Sequence, residues 1–122
     1  MRTADLFCGG GGSATGLRSH VNLVLGIDND ERALETYRAN HGHEALQLDL
    51  SHTQDVINLL KKRRVQLICA SPPCQDYSNA GLRVEGQRAD LTSSLADIVI
   101  GIQARGLIME NVPEVLSSFA FA

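Results

Sequence analysis

Residues 3–13 read TADLFCGGGGS, an apolar segment followed at once by four glycines and a serine. The apolar segment predicts a buried strand over Thr3–Phe7, and Ser13 is a residue type that favours the start of a helix. Glycines between a strand and a helix let the backbone approach a ligand closely and present N–H donors to it. The stretch therefore predicts the first strand, the ligand-binding turn and the first helix of an α/β domain.

The rest of the chain continues this alternation of strand-like and helix-like segments. Further strands are predicted at Leu23–Ile27, Ala45–Leu48, Val65–Ala70 and Leu107–Met109. Helices are predicted over Asp30–His41 with Gly42 as the stop, from a Ser51–Gln54 capping box to Arg64, and over Leu91–Ile102. Strands joined by helices form a parallel sheet with helices on both faces, which binds ligands beyond the carboxyl ends of its strands.

Composition limits the domain organisation and the class of protein. With 122 residues, 43% of them hydrophobic, the chain is sufficient for one modest domain. Its formal charge of -3 argues against a self-sufficient nucleic-acid binder, and the basic run Lys61–Arg64 is interpreted as a solvated helix end. Three cysteines without a Cys-x-x-Cys pair indicate neither a disulfide framework nor zinc, and favour a reducing, intracellular setting. No apolar run is long enough to predict a membrane span.

Polar residues follow the second and third predicted strands. Asp28 stands where a carboxylate can accept hydrogen bonds from ribose hydroxyls, although Asp28, Asn29 and Asp30 are all residue types that cap helices. Asp49 provides an acceptor for an adenine amino group. An adenosine-containing ligand is therefore predicted, and because Gly9, Gly11 and Ala14 fit the loose dinucleotide fingerprint, a nicotinamide cofactor remains an alternative.

The loop after the fourth strand reads SPPCQDYS over residues 71–78. Two prolines restrict the backbone there, and Cys74 lies in a polar loop rather than inside a strand like Cys69. Glu110 directly follows the fifth strand, beside Cys74 if the two strands are neighbours. The position of Cys74 in a polar loop beyond a strand end favours a reactive thiol over a buried packing residue.

Together these segments resemble the DNA cytosine-C5 methyltransferases, whose ordered motifs match Asp5–Gly16, Pro72–Ser78 and Met109–Pro113. The resemblance covers essentially the whole chain but only the first part of the family's pattern, so residues 1–122 are expected to form the N-terminal portion of its cofactor-binding and catalytic domain. It implies a Rossmann-like methyltransferase fold with the first five strands. It also implies intracellular DNA methylation, in the cytoplasm or nucleoid, of the restriction-modification kind.

The resemblance implies S-adenosylmethionine as cofactor, S-adenosylhomocysteine as product, and no metal. Phe7 and the glycines would border the methionine part, Asp28 would hold the ribose, and the residues after the second and third strands would surround the adenine. The implied cofactor set is Phe7, Gly9, Gly11, Gly12, Asp28, Asn29, Asp49, Leu50 and Leu91.

By the same resemblance, Cys74 would add to carbon 6 of cytosine while protonated Glu110 hydrogen-bonds N3. The residues expected to support the base are Pro73, Gln75, Ser78, Arg88 and Asn111. The later motifs, including the target-recognition region, are absent from these residues, so a complementary polypeptide or a C-terminal region is expected to supply them. Methylation of RNA and a non-catalytic S-adenosylmethionine-binding module remain alternatives.

Overall fold

The computed structural model describes residues 1–72 and 85–109, with the backbone alone for residues 85–92. Five strands alternate with four helices in these ranges, as predicted. In chain order the elements are β1 (Arg2–Leu6), α1 (Gly12–Leu17), β2 (Asn22–Asp28), α2 (Glu31–Asn40), β3 (Glu44–Gln47), α3 (Thr53–Lys62), β4 (Leu67–Ala70), α4 (Glu85–Gly101) and β5 (Gly106–Met109). No helix within the described ranges is long and apolar enough to cross a bilayer.

The strands form one parallel sheet in the order β3-β2-β1-β4-β5. The chain builds outward from β1 to β3, then returns to the other side of β1 to place β4 and β5. Strand order therefore reverses between β1 and β4, and the ends of these two strands flank the crevice where such sheets bind ligands. The fold class predicted from the sequence is confirmed.

Helices cover both faces of the sheet. On one face, α3 and α4 pack on β1 and β4 through a cluster that includes Leu6, Ile68, Leu60 and Ile98, each at most 1% exposed. On the other face, α1 and α2 form a second cluster that includes Ala14, Leu34 and Tyr37. Burial of these apolar side chains stabilises the fold by roughly 1.5–3 kcal/mol for each large one.

Two predicted helix boundaries are wrong in detail. The Ser51–Gln54 capping box does not form, because the Ser51 amide and hydroxyl both donate to Asp49 Oδ1, at 2.9 and 2.7 Å. The helix α3 instead begins at Thr53 without a side-chain cap. The helix α2 ends before Gly42 as predicted, but by an extended His41 rather than by a left-handed glycine.

The first strand and the last helix also differ from their predicted bounds. β1 ends at Leu6 rather than Phe7, because Phe7 turns the chain with a φ of 55°. The helix α4 begins at Glu85, six residues before the Leu91 expected from the apolar stripe alone. A polar first turn carries no hydrophobic periodicity, so the pattern could reveal only the part of α4 that packs on the sheet.

Candidate functional site

The loops that follow β1, β2, β3 and β4 meet at one edge of the sheet, because the strands are parallel. The glycine loop follows β1, the residues around Asp28 follow β2, Asp49 follows β3, and Ser71 follows β4. We call this the carboxyl edge. The predicted cofactor residues that the structure describes with side chains all lie in or directly after these strand ends.

The glycine loop turns through three left-handed residues in close succession. Phe7, Gly9 and Gly11 have φ angles of 55°, 53° and 96°. Glycine accepts such angles freely, whereas a bulky residue such as Phe7 is strained there by roughly 1–3 kcal/mol. The half-buried Phe7 packs against the core cluster, which helps to hold it in this conformation. Backbone strain of this kind concentrates at binding sites, consistent with the role expected for this loop.

Asp28 joins the glycine loop to the end of β2. Its Oδ2 accepts a hydrogen bond from the Gly9 amide at 2.8 Å, and its Oδ1 accepts one from the Asp30 amide at 2.9 Å. Asp28 therefore does not cap α2, and that role belongs to Asp30, which accepts a bond from the Arg32 amide at 3.0 Å. A carboxylate has about four acceptor positions, so Asp28 retains capacity for the hydroxyl groups of a ligand.

Asp49 carries an ionised carboxylate after β3. The hydroxyl and backbone hydrogen bonds from Ser51 lower its pKa below the ordinary value. Both of these bonds go to Oδ1, and no other described residue is bonded to Oδ2. The neighbouring Leu50 is only 4% exposed and belongs to the core cluster, so it fixes the position of Asp49 from below. Asp49 is thus an exposed acceptor on a rigid support.

The glycines of the loop differ in what surrounds them. A Cβ atom on Gly11 would lie 2.7 Å from Nε2 of the buried His41, so no side chain fits there. Among the described residues, a Cβ atom on Gly12 would meet no atom within 4 Å, and Gly12 has no positive φ. Gly11 is therefore required by the fold itself. Gly12 faces open space, as expected for a residue that leaves room for a ligand.

A cleft of about 360 Å³ continues the carboxyl edge beyond the glycine loop, between α1 and the ends of β4 and β5. Ser13 and Ser71 both line it, and their hydroxyl groups are hydrogen-bonded to each other, with the oxygens 3.2 Å apart. The volume lies within the range of small-molecule sites. Its lining residues are Gly12, Ser13, Gly16, Leu17, Cys69, Ala70, Ser71 and Ile108.

The two cysteines that the structure describes are unsuited to nucleophilic chemistry. Burial raises the pKa of Cys8 to about 12 and that of Cys69 to about 11, and the charge of Asp5 contributes to both shifts. Both thiols are therefore protonated at neutral pH, and only a thiolate attacks. The prediction that Cys69 is a buried strand residue is confirmed.

A buried polar network beneath the glycine loop was missed by the sequence interpretation. Asp5 is 1% exposed, and its Oδ2 lies 3.5 Å from the Tyr37 hydroxyl, which in turn lies 2.5 Å from Nε2 of His43. Asp5 Oδ1 is buried and has no hydrogen-bond partner among the described residues. Loss of solvation is the largest cause that raises the pKa of Asp5 from 3.8 to about 7. A charged residue inside an apolar strand was the signal that could have revealed it.

Ionisation of Asp5 is expected to destabilise the fold as pH rises. Because the folded pKa is raised, the stabilising contribution is fully present below about pH 4 and is lost as pH rises through about 7. The shift corresponds to about 4 kcal/mol. The expected result is that Asp5→Asn removes this loss, measured as the difference in unfolding free energy between variant and wild type at pH 5 and pH 8.

His43 changes the pH dependence of stability with the opposite sign. Burial, followed by the charge of His41, lowers the pKa of His43, so its contribution to stability is lost as pH falls. Since His43 is present in both proteins, its effect largely cancels in the difference between wild type and Asp5→Asn. A difference that stays constant from pH 5 to pH 8 would contradict the assignment of the effect to Asp5.

Several predicted site residues lie outside the described residues. For Arg88 and Leu91 the structure gives the backbone of α4 but not the side chains. The others have no described position, and their roles stay predictions: Pro73, Cys74, Gln75, Ser78, Glu110 and Asn111.

Comparison with known proteins decides the family. The family model for C-5 cytosine-specific DNA methylase matches residues 1–119. The chain belongs to this family. Among curated members, it is 43% identical to the Type II methyltransferase M.HgiGI of Herpetosiphon aurantiacus over 114 residues, which are 92% of this chain and 90% of that protein. The C-5 cytosine methylase assignment leaves no support for the nicotinamide alternative.

Other members of the family are longer than the chain. It is 43% identical to the Type II methyltransferase M.HgiDI of Herpetosiphon aurantiacus over 114 residues, which are 92% of the chain but 37% of that relative. The crystal structure of S. pombe Dnmt2 methyltransferase superposes with a TM-score of 0.71 and 23% identity, covering 99% of the chain and 37% of that structure. This likeness shows that the chain shares the fold of the corresponding part of that methyltransferase.

Proposed function

We propose that the chain binds S-adenosylmethionine along its carboxyl edge and methylates carbon 5 of cytosine in DNA through a covalent adduct with Cys74. The order of the strands is the observation that carries this proposal. Read along the order β3-β2-β1-β4-β5, the strand ends present Asp49, Asp28, the glycine loop, and then the segments that lead to Cys74 and Glu110. In the proposed complex, the parts of the two ligands follow the same order: the adenine, ribose and methionine of the cofactor, then carbon 6 and N3 of the cytosine.

The donors and acceptors of the carboxyl edge fit S-adenosylmethionine. Asp49 supplies an ionised acceptor for the adenine amino group, with Leu50 and Asn29 beside it, and Asp28 supplies acceptors for the ribose hydroxyls. Neighbouring strands lie about 4.8 Å apart, so β3 and β4 are separated by roughly 14 Å. An extended nucleoside with an amino-acid tail spans this distance, and its tail would lie next to Gly12 and the cleft beside α1.

Cys74 would begin the chemistry. Carbon 5 of cytosine is a poor nucleophile while its ring remains conjugated, and addition of a thiolate to carbon 6 removes that conjugation. Cys74 forms the new carbon–sulfur bond, and the electron pair of the 5,6 double bond moves into the ring. Protonated Glu110, bonded to N3, stabilises the negative charge that develops there. Once carbon 5 has accepted a methyl group, a base removes the proton at carbon 5, and the Cys74 thiolate departs as the 5,6 double bond reforms.

S-adenosylmethionine would supply an electrophilic methyl group, which carbon 5 would accept after Cys74 has added to carbon 6, with S-adenosylhomocysteine as the product left behind. The glycine loop and Asp28 orient this group by holding the nucleoside and methionine ends. Their mutual hydrogen bond at 2.8 Å keeps the loop in one position. Such preorganisation allows the methyl group and the cytosine ring to meet in a reactive geometry.

Access to the base requires a second component. Carbon 6 is inaccessible inside a stacked duplex, so the cytosine must be flipped out at a cost of a few kcal/mol. We propose that a complementary polypeptide or a C-terminal region provides target recognition and offsets this cost. The relative M.HgiDI, of which the chain spans 37%, has the additional length that such a region needs.

The proposal is tested by methyl transfer from tritiated S-adenosylmethionine, with the chain alone and with a polypeptide that carries the later family motifs. Label in cytosine of DNA is the expected result. Label found only in RNA would show that RNA, rather than DNA, is the substrate. Cofactor binding without methyl transfer to either polymer would favour the non-catalytic module. Binding of NAD without binding of S-adenosylhomocysteine would overturn the proposal as a whole.

Gly12→Ala separates the ligand-binding role of the glycine loop from its structural role. The added Cβ meets no described atom within 4 Å, and Gly→Ala at a backbone conformation that alanine accepts stabilises a protein by about 0.4–1 kcal/mol. The expected result is an unchanged or raised melting temperature together with at least tenfold weaker binding of S-adenosylhomocysteine by calorimetry. Unchanged affinity would show that the ligand does not approach Gly12.

Gly42→Ala is the matched control for this measurement. A Cβ atom there also meets no described atom within 4 Å, and Gly42 precedes β3, at the edge of the sheet opposite the carboxyl edge. We expect its effect on affinity to be much smaller than that of Gly12→Ala.

A further inference from the structure

The edge of the sheet opposite the carboxyl edge collects six of the 11 lysine and arginine residues of the chain. Five of them are exposed, and Arg63 is half-buried. They come from the start of β1, the end of α3 with the turn after it, and the residue before β5. We call this group the basic edge: Arg2, Lys61, Lys62, Arg63, Arg64 and Arg105.

Backbone hydrogen bonds hold these segments side by side. The Gln66 amide donates to the Arg2 carbonyl at 2.8 Å, and the Arg105 amide donates to the Gln66 carbonyl at 2.7 Å. The Arg2 Nε also donates to the Arg63 carbonyl at 2.8 Å. Arg2 and Arg105 therefore lie about 10 Å apart, at two strand spacings, with the end of α3 next to Arg2.

A role in capping α3 accounts for only part of this group. Lys61 and Lys62 lie in the last turn of α3 and complement its dipole, but Arg2 and Arg105 belong to strand starts. Among the described residues, the only carboxylate paired with the group is Glu44, which binds Arg63 at 2.7 Å. Five cationic side chains are thus left without a carboxylate partner in the described part of the chain.

The backbone conformation of Arg64 is a second indication that the basic edge binds a ligand. It has a φ of 58°, the left-handed conformation that commonly ends a helix and that glycine adopts without strain. An arginine at this position makes the fold less stable than a glycine would. A cost in stability for a cationic side chain is expected where that side chain binds something.

We propose that the basic edge is a second nucleic-acid contact, which binds the phosphates of duplex DNA without reading its sequence. A strand of duplex DNA carries one phosphate per about 3.4 Å of axis, so an edge about 10 Å wide matches about three phosphates. The edge is separated from the carboxyl edge by the length of β1, about 16 Å. It therefore contacts a segment of DNA other than the flipped cytosine. The choice of DNA as the polyanion rests on the proposed function, whereas the surface itself does not.

The test uses an A·T-only duplex, which contains no cytosine and so reports binding apart from methylation. Anisotropy of the labelled duplex is measured with the whole chain between 50 and 200 mM salt. Neutralising Lys62 and Arg64 together (K62Q/R64Q) is expected to lower the slope of log affinity against log salt by about 1.8, since each phosphate contact contributes about 0.9. The control R32Q removes an exposed charge near the carboxyl edge and should leave the slope unchanged.

The variant R64G distinguishes binding from folding. Glycine suits the backbone at this position, so R64G should raise the melting temperature while it weakens DNA binding. No binding of the A·T duplex by the wild type, or an equal slope for K62Q/R64Q and R32Q, would overturn the proposal. Binding of polyglutamate but not of the duplex would also overturn it, in favour of an acidic protein partner. If the wild-type chain binds the A·T duplex but no methyl transfer is found, the result would count against the proposed function and not against the basic edge.

Discussion

Cys74→Ser is expected to lower methyl transfer at least about a thousandfold, because a serine hydroxyl is not ionised at neutral pH and adds poorly to carbon 6. The sharpest measurement uses DNA that contains 5-fluorocytosine. Fluorine at carbon 5 cannot be removed as a proton, so the bond from Cys74 to carbon 6 persists. A covalent complex that requires S-adenosylmethionine is expected for the wild type together with its complementary polypeptide. None is expected for Cys74→Ser.

Cys8→Ala is the matched control for this experiment. Cys8 is 6% exposed, and burial holds its pKa near 12, so it cannot compete as a nucleophile. The variant loses one buried sulfur atom and should still form the covalent complex. A complex that survives Cys74→Ser, or that disappears in Cys8→Ala folded as well as wild type, would contradict the assigned role of Cys74.

Tyr37→Ala is expected to have the largest effect on stability, about 3–5 kcal/mol of unfolding free energy. Tyr37 is 0% exposed and the largest fully buried side chain among the described residues. Its ring lies on Gly26, where a Cβ atom would come within 2.7 Å of the Tyr37 Cζ. Its ring also packs against His41, with centroids 4.8 Å apart. Truncation leaves a cavity between α2 and the sheet and leaves Asp5 without its hydrogen-bond donor. Denaturant unfolding measures the loss.

Tyr37→Phe separates the hydroxyl group from the ring. The ring still fills the space over Gly26, while the hydrogen bonds to His43 and Asp5 are lost. We expect a loss of about 1–3 kcal/mol, smaller than that of Tyr37→Ala. Equal losses for the two variants would show that the polar network, rather than packing, dominates at this position.

The sequence predicted the architecture because local patterns specified it. Apolar segments, glycines and helix stops identified the five strands and four helices of the described residues, and the motifs placed Asp28 and Asp49 at strand ends. The boundaries were less accurate where two local interactions compete. Ser51 illustrates this, because its hydroxyl could cap a helix or bind Asp49, and the second bond is the one that forms.

Long-range contacts explain what the sequence could not predict. Asp5 and Tyr37 are 32 residues apart, and their hydrogen bond depends on how α2 packs on β1. Arg2 and Arg105 also lie on the same edge, about 10 Å apart, only because β1, β4 and β5 are consecutive strands in the sheet. The run Lys61–Arg64 was correctly interpreted as a helix end. The sheet places Arg2 and Arg105 on the same edge, and together these residues form the basic edge.

The central claim is that S-adenosylmethionine lies along the carboxyl edge in the order of the strands. The most direct measurement is a titration of the isotope-labelled chain with S-adenosylhomocysteine, followed by amide chemical shifts. Shifts are predicted for Gly9–Gly12, Asp28–Asn29 and Asp49–Leu50, with none for Lys62 and Arg64 at the opposite edge. No shifts at millimolar ligand, or shifts confined to residues away from the ends of β1, β2 and β3, would contradict the account.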